Sequence, residues 1–424
     1  MPPSAQTDWP GAIWIGEIDR AALIPGERVT LDGGAAYRRA RLLVRDGRRT
    51  CGFVDVEVSE AGIATDDVLA AGLTAGPTSQ EAGALPPISV VLCTRDRPVL
   101  LRAALRSLAT LDYSDYEVVV VDNDPRVDTT RAVVAEFAAA DHATGRFRIV
   151  DAPIQGLARA RNVGVLAAAH DLIAFTDDDV LIDRAWLRGL AAGFATDPRV
   201  GCVTGLVASG EIDSLSQWYF DRRVTWARNC AARTFSLRTP PPGDRMFPFQ
   251  AGNYGTGANF ALRKSVLLGL GGFDERFGAG SATGGGEDID VFVRVLLGGA
   301  DLRYEPDALV WHRHRSDLAS LGDQSFAYGR GLGAWLTKIA TDPRTAFRLA
   351  GRVVAGLRHL RAINELTPDG TVLDVEEQQT LQRLGAIERR GVLSGPWALV
   401  RARLAGGRAR PLRAARPLAM DGGG

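Results

Sequence analysis

The sequence predicts an α/β protein, a mostly parallel sheet covered by helices on both faces, with a small β-rich unit ahead of it and a basic helical extension behind it. Three observations carry this. From Ile88 onward, apolar strand-type runs alternate with helical stretches, the pattern of strands and crossover helices. Before residue 70, the short segments RVTLDG, ARLLVRDG and TCGFVDVEVSE combine β-branched residues with Gly and Asp turn signals. After Arg315 the chain reads as helical. From Arg344 to the end it holds fourteen arginines against seven acidic residues, so a net of +7 in the tail is hidden by the formal net charge of zero.

The elements follow in order. A length of 424 residues suits two or three compact units. Residues 1–69 form the first. The run AAGLTAGPTSQEAGALPP, residues 70–87, replaces apolar periodicity with small residues and prolines and reads as a linker. The central domain spans 88–315: ISVVLC, a helix from about Pro98 to Ala109, YEVVVVD, a helix from about Arg126 to Ala140, FRIVDA, a helix from near Leu157, then LIAFTDDD. The stretch from Gly210 to Gly255 has no clear period and reads as a functional loop or lid. Residues 316–424 make the helical extension.

Composition excludes several classes. With 46% hydrophobic and 24% charged residues the chain is neither disordered nor fibrous. Zero net charge, without an aromatic-interleaved groove, argues against nucleic acid as a partner. Four widely spaced cysteines give no disulfide framework and no CxxC site, which fits a reducing compartment. No signal peptide and no run of ~18 apolar residues is evident. The expected location is cytoplasmic, with the basic tail allowing peripheral contact with an anionic membrane at its inner face. A stripe of Arg344, Arg348 and Arg352 at four-residue spacing, beside Phe347, Val353, Val354, Leu357 and Leu360, reads either as that contact or as a docked helix with solvated arginines.

In sheets of this kind ligands bind beyond the carboxyl ends of the strands. There the sequence places Thr94, Arg95 and Asp96, then Asp122, Asn123 and Asp124, then Asp177, Asp178 and Asp179. Three adjacent carboxylates repel one another unless a cation compensates, and Mg²⁺ or Mn²⁺ with diphosphate oxygens would do so; a solvated acidic turn capping the next helix is the alternative. In GAGSATGGGEDIDVFVRVLLGG, glycines precede Glu287, Asp288 and Asp290. One reading is a helix start favoured by the macrodipole, the other a carboxylate that accepts a proton from an incoming hydroxyl. Only one of Glu287 and Asp288 can face an acceptor. Asp288 shares a helix face with Val291 and Val295, which would turn it inward and leave Glu287 to cap the helix or touch the glycine loop. His312 and His314 end an apolar strand and, two apart, could share a face. Arg159, Arg161 and Asn162 open a helix and suit a phosphate or a base edge, or a plain cap. GTGAN, with Gly257 and Asn259, permits close backbone approach by a ligand.

Together, ISVVLCTRDRP, YEVVVVDND, GLARARNVG, FTDDDV, GTGANFALRKSVLLGLGGFDERFG, GGGEDIDVFVRVLLGG and YEPDALVWHRHR resemble the family 2 glycosyltransferases of the GT-A, Rossmann-like fold, over about residues 88–315. The resemblance implies inverting transfer of a sugar from a nucleotide diphosphate donor to an acceptor hydroxyl, dependent on Mg²⁺ or Mn²⁺, in glycan or glycolipid synthesis of the cell envelope or exterior. By that resemblance Thr94, Arg95, Asp122 and Asn123 hold the nucleoside, and Arg161, Asp177 and Asp178 belong to the donor site, Asp177 near the ribose. Asp179 and His312 meet the metal or diphosphate, with His314 the competing histidine. Asp288 is the general base, and Glu287, Gly257 and Asn259 line the acceptor or loop side. The acceptor is a glycan or lipid-linked hydroxyl. Asn123 departs from the commoner double-acid form of its motif. A nucleotidyltransferase and an inactive, transferase-like binding protein are the rivals. A dehydrogenase is disfavoured because no G-x-G-x-x-G follows the first strand.

Overall fold

The computed structural model describes residues 9–76, 85–141, 145–250, 252–350 and 373–412. In the N-terminal unit, β1 (Ile13–Asp19), β3 (Arg39–Asp46) and β4 (Arg49–Glu57) form one sheet, while β2 (Arg28–Val29) pairs with β5 (Ile63–Ala64) ahead of α1 (Thr65–Ala70). Within ARLLVRDG, Leu42, Leu43 and Val44 follow one another without a polar residue because β3 is buried on both faces. Leu42 and Val44 pack with Val56, Ile63 and Val68 inside the unit, whereas Leu43 packs on Leu206, Ala208 and Leu309 of the central sheet. Residues 77–84 of the expected linker lie outside the described residues.

The central sheet has nine strands: β6 (Ile88–Thr94), β7 (Tyr116–Asn123), β8 (Phe147–Ala152), β9 (Leu172–Asp177), β10 (Val180–Ile182), β11 (Val200–Ser209), β12 (Arg233–Phe235), β13 (Asn259–Arg263) and β14 (Asp301–His312). Their order is β10-β14-β11-β13-β9-β6-β7-β8, with β12 on β14. Six strands run one way; β10, β12 and β13 run against them. The alternation of β6 explains the two-sided cover, since Val91 and Cys93 enter one core and Val90 and Leu92 the other. The helices are α2 (Pro98–Ala109), α3 (Thr129–Ala140), α4 (Leu157–Ala167), α5 (Trp186–Ala195), α6 (Leu215–Arg223), α7 (Lys264–Leu270), α8 (Glu287–Leu297), α9 (Leu318–Thr341), α10 (Pro343–Ala350) and α11 (Val375–Leu404).

Two expectations are corrected. The helix expected from Arg126 begins at Thr129. The stretch 210–255, expected to be loop throughout, contains α6 and β12. α6 is capped by Ser214, whose hydroxyl accepts from the Gln217 amide. It is buried all round, through Trp218, Tyr219, Phe220, Asp221 and Arg222, and so shows no amphipathic period.

The extension is held by glycines. An added Cβ at Gly329 would lie 2.1 Å from the Glu388 carbonyl oxygen, at Gly333 2.1 Å from that of Val392, and at Gly391 2.3 Å from that of Phe326. Later residues meet later residues, so α9 and α11 run parallel in backbone contact. Arg344 and Arg348 of the expected stripe lie on α10 with an exposed Phe347, whereas Arg352, Val353, Val354, Leu357 and Leu360 fall outside the described residues. Among the described residues no helix is long and apolar enough to cross a membrane. Gly333→Ala should cost about 1–3 kcal/mol by overpacking, measured by urea unfolding. Gly385→Ala, whose Cβ would meet only the end of the Arg389 side chain at 3.4 Å, should gain about 0.5–1 kcal/mol in the same assay.

Candidate active site

The carboxyl ends of β6, β7, β9 and β14 open into one cavity of about 980 Å³, walled on the far side by the start of α8, the glycine loop 278–286, and α9. The chain turns sharply as it leaves β6 and β7, and Asp96 and Asp124 take the left-handed conformation there, with φ of 54° and 61°. Asp tolerates that strain better than most side chains because its short carboxylate can bond locally.

The three acids after β9 have different surroundings. Asp178 is buried and tied down: the Thr94 hydroxyl donates to it at 2.6 Å and Arg97 Nη1 at 3.1 Å. Burial pushes its pKa up. Asp177 faces the cavity and meets Arg161 Nη2 at 3.3 Å; burial, with Asp179 adding like charge, raises it to about 6 against the pull of that guanidinium. Asp179 goes the other way. Burial would raise it, but His312 Nε2 at 3.3 Å from its Oδ1, together with Arg97, holds it at about 2.

Across the cavity, Arg161 is fully buried and joins three elements. Its Nη1 donates to Glu287 Oε1 at 3.0 Å and its Nη2 to the Gly257 carbonyl at 2.8 Å, while the rings of Phe260 and Phe273 lie 5.4 and 5.9 Å from its carbon. Gly257 in turn donates its amide to Asp288 Oδ2 at 2.9 Å, and the Ile289 amide donates to Oδ1 at 2.8 Å. Asp288 is thereby fixed at the cavity wall.

Thr94, Arg95, Asn123, Arg161, Asp177, Asp178, Asp179, Gly257, Glu287, Asp288 and His312 all line this cavity. Two expected site residues do not. Asp122 is buried behind the end of β7, with its Oδ1 making no hydrogen bond among the described residues, because strand alternation turns it away from the side that Asn123 presents. Asn259 is fully buried and structural: it accepts from Trp186 Nε1 at 2.8 Å and donates to the Leu206 and Ala308 carbonyls. A third correction concerns which residue of α8 is turned inward: Glu287 is the more buried of the pair and Asp288 is half-buried. Of the two roles expected for Glu287, no side-chain cap is made by the residue preceding the helix, and Glu287 lies beside Gly278 of the glycine loop. The two histidines also separate: His312 meets Asp179, and His314 lies behind it against the Phe220 ring, 4.4 Å between centroids.

Sequence reasoning passed over Arg97, which stands in the quoted TRDRP, and the α9 residues Asp323, Gln324 and Tyr328, which carry no motif and reach the cavity only through tertiary packing. Among the described residues no three His, Cys, Asp or Glu side chains converge as a closed metal shell. Asp179 and His312 offer two donors, which fits a hard divalent ion that takes one or two protein ligands and fills its other positions with diphosphate oxygens and water. Burial and the neighbouring Asp288 raise Glu287 to about 7 from an ordinary 4.5. A raised acid stabilises the fold as its proton is taken up, so this contribution is full below about 4.5 and lost as pH rises through about 7. Glu287→Gln should flatten the stability profile across that window, read by urea unfolding at stepped pH.

Residues 89–268 match Glycosyl transferase family 2. The pre-mycofactocin glycosyltransferase of Mycobacterium tuberculosis is 30% identical over 324 residues, covering 74% of this chain and 61% of that protein. The probable glycosyltransferase YdaM of Bacillus subtilis is 26% identical over 58% of this chain and 55% of its own length, and the poly-beta-1,6-N-acetyl-D-glucosamine synthase of Staphylococcus epidermidis 25% over 58% and 54%. The chain thus spans between about half and three fifths of the length of these relatives. A solved mannosyltransferase, PcManGT from Pyrobaculum calidifontis in complex with GDP-Man and Mn²⁺, has a TM-score of 0.48 and 18% identity over 78% of this chain and 88% of that one. Residues 89–268, the larger part of the central domain, belong to glycosyl transferase family 2.

Proposed function

We propose that the protein transfers a sugar from a nucleotide diphosphate donor to an acceptor hydroxyl with inversion at the anomeric carbon. The observation that carries this reading is the presence in one cavity of the Asp179–His312 pair at the strand ends and of Asp288, fixed by two backbone amides, at the start of α8. Thr94, Arg95 and Asn123, at the ends of β6 and β7, suit the nucleoside. Asp179 and His312 would hold Mg²⁺ or Mn²⁺, which when bound supplies positive charge to the diphosphate leaving group.

Asp288 takes the proton of the acceptor hydroxyl as that oxygen attacks the anomeric carbon. Two backbone donors orient the carboxylate and leave lone pairs for the incoming proton. Direct displacement places base and leaving group on opposite faces of the sugar, as in inverting glycoside hydrolysis. Arg161 keeps Glu287 and Asp177 paired and drawn away from the acceptor.

The acceptor is a glycan or lipid-linked hydroxyl, and the likeness to a pre-mycofactocin glycosyltransferase makes that compound class the second to assay. For a lipid-linked acceptor the surface is α11, where Leu393, Trp397, Val400 and Leu404 are exposed at helical spacing beside Arg401 and Arg403. Co-sedimentation with anionic but not neutral vesicles at low salt supports that surface; equal recovery in both supernatants removes it.

A screen of nucleotide sugars with Mn²⁺, reading nucleotide release, tests the whole reading; a protein that turns over no donor with any acceptor is a binding protein instead. Asp179→Ala should abolish turnover and Mn²⁺-dependent donor binding while the fold persists. Asp288→Asn should keep donor affinity and lower kcat by ~10² to 10⁴. Glu287→Gln should lose less. Full activity of Asp288→Asn with inactive Glu287→Gln would exchange the two roles.

A further inference from the structure

Behind His312 an unbroken chain of polar contacts runs to the N-terminal unit. His312 Nδ1 lies 2.9 Å from His314 Nδ1, and His314 Nε2 lies 3.2 Å from Ser209 Oγ. Ser209 Oγ donates to Asp221 Oδ1 at 2.7 Å. Asp221 Oδ2 accepts from Arg41 Nη1 at 2.8 Å and from Arg228 Nη2 at 2.5 Å. The parallel register of β11 and β14 sets Ser209 opposite His312, and Arg41 stands on β3. Arg41, Asp221, Ser209 and His314 are all buried, so the chain runs through the protein interior.

Once Asp221 is fixed, each bond has one direction. Burial would raise its pKa, but Arg41 and Arg228 hold it at about 2, so the carboxylate only accepts. Ser209 has one hydroxyl proton and gives it to Asp221. Its oxygen then offers His314 only lone pairs, so His314 Nε2 carries the proton and donates. A neutral imidazole has one such proton, which leaves His314 Nδ1 as an acceptor. The 2.9 Å contact between the two Nδ1 atoms is then a hydrogen bond donated by His312. The remaining nitrogen, His312 Nε2, faces the cavity 3.3 Å from Asp179 Oδ1; it donates to that carboxylate when the ring is charged and offers a lone pair when the ring is neutral. A proton on Nε2 satisfies the carboxylate, and Nε2 is then the ring nitrogen at which a divalent cation takes the place of a proton.

We propose that Arg41, Asp221, Ser209 and His314 are positioning residues that lock a proton on His312 Nδ1 and leave Nε2 as the nitrogen facing Asp179 and the cavity, so that the N-terminal unit sets which nitrogen of the histidine beside Asp179 can meet a cation. The consequence for metal affinity rests on the transferase reading; the proton placement does not.

The test uses the full chain with ¹⁵N-labelled histidine and long-range ¹H–¹⁵N spectra, which report which ring nitrogens carry protons. The wild type should show protons on His312 Nδ1 and His314 Nε2. In Asp221→Asn the two arginines still need an acceptor, so the amide oxygen faces them and its NH₂ faces Ser209. The Ser209 proton then goes to His314 Nε2, and every bond reverses: His314 carries its proton on Nδ1 and His312 Nδ1 is bare. Mn²⁺ affinity, measured by the free-ion EPR signal without donor, should fall ~10-fold or more, as outer partners of a ligand usually produce. Ser209→Ala should release the lock and populate both placements, and Ser209→Thr should restore the wild-type pattern. A wild type with its proton on His314 Nδ1, or the wild-type placement persisting in Asp221→Asn and Ser209→Ala, overturns the proposal. Inversion of the spectra in a protein that turns over no donor would sustain the relay and remove the transferase reading.

Discussion

The Arg161 guanidinium is 2% exposed and lies against two rings, an expensive place for a charge unless its donors are matched. Its partners are the Asp177 carboxylate, the Glu287 carboxylate and the Gly257 carbonyl, which come from β9, α8 and the loop before β13. No covalent link joins these elements near the cavity. A planar fork reaches all three at once, which the single ammonium of a lysine does not do. Asp288 inherits its position from this one group, because the Gly257 peptide that accepts from Arg161 through its carbonyl carries the strand-side backbone whose amide holds Asp288.

The acids after β9 divide their work by environment rather than by chemistry. Asp178 points into protein and is consumed by Thr94 and Arg97. Asp177 and Asp179 flank it on the cavity side, and one is drawn up and the other down by whether its nearest cation is shared. Arg161 divides its charge among partners, so Asp177 is undercompensated. Asp179 has His312 at its side and Arg97 above it. The outer carboxylate of the turn is therefore the one ready to meet a cation.

Much of this was legible in the chain itself, because strand ends in a parallel sheet share one side and their residues can be read off in order. Thr94, Asn123, Asp177, Asp179 and His312 meet for that reason. What escaped was the side of each residue. Asp122 and Asn123 are neighbours in sequence and opposites in space, and no composition signal separates them. Asn259 has a small-residue setting that suits a ligand, yet its amide completes the hydrogen bonds of two strands at a register irregularity between Gly205 and Leu206. α6 was hidden by its own complete burial. α9 comes against the glycine loop at Gly331, where an added Cβ would lie 2.7 Å from the Gly285 carbonyl carbon, and a contact made by missing atoms leaves no pattern in polarity.

β3 gives one face to the core of its own unit and Leu43 to the central sheet. A strand shared in this way makes the boundary between the two units a packed interior rather than a surface on which they could slide. The N-terminal sheet is therefore better regarded as a further layer of the central fold than as an appendage, and the segment that matches the family, residues 89–268, is a portion of that layered body rather than a separable part of it. It lacks the strand that carries His312 and the helix that carries Asp288. In this protein the recognisable motif block and the smallest body able to hold its own geometry are different objects.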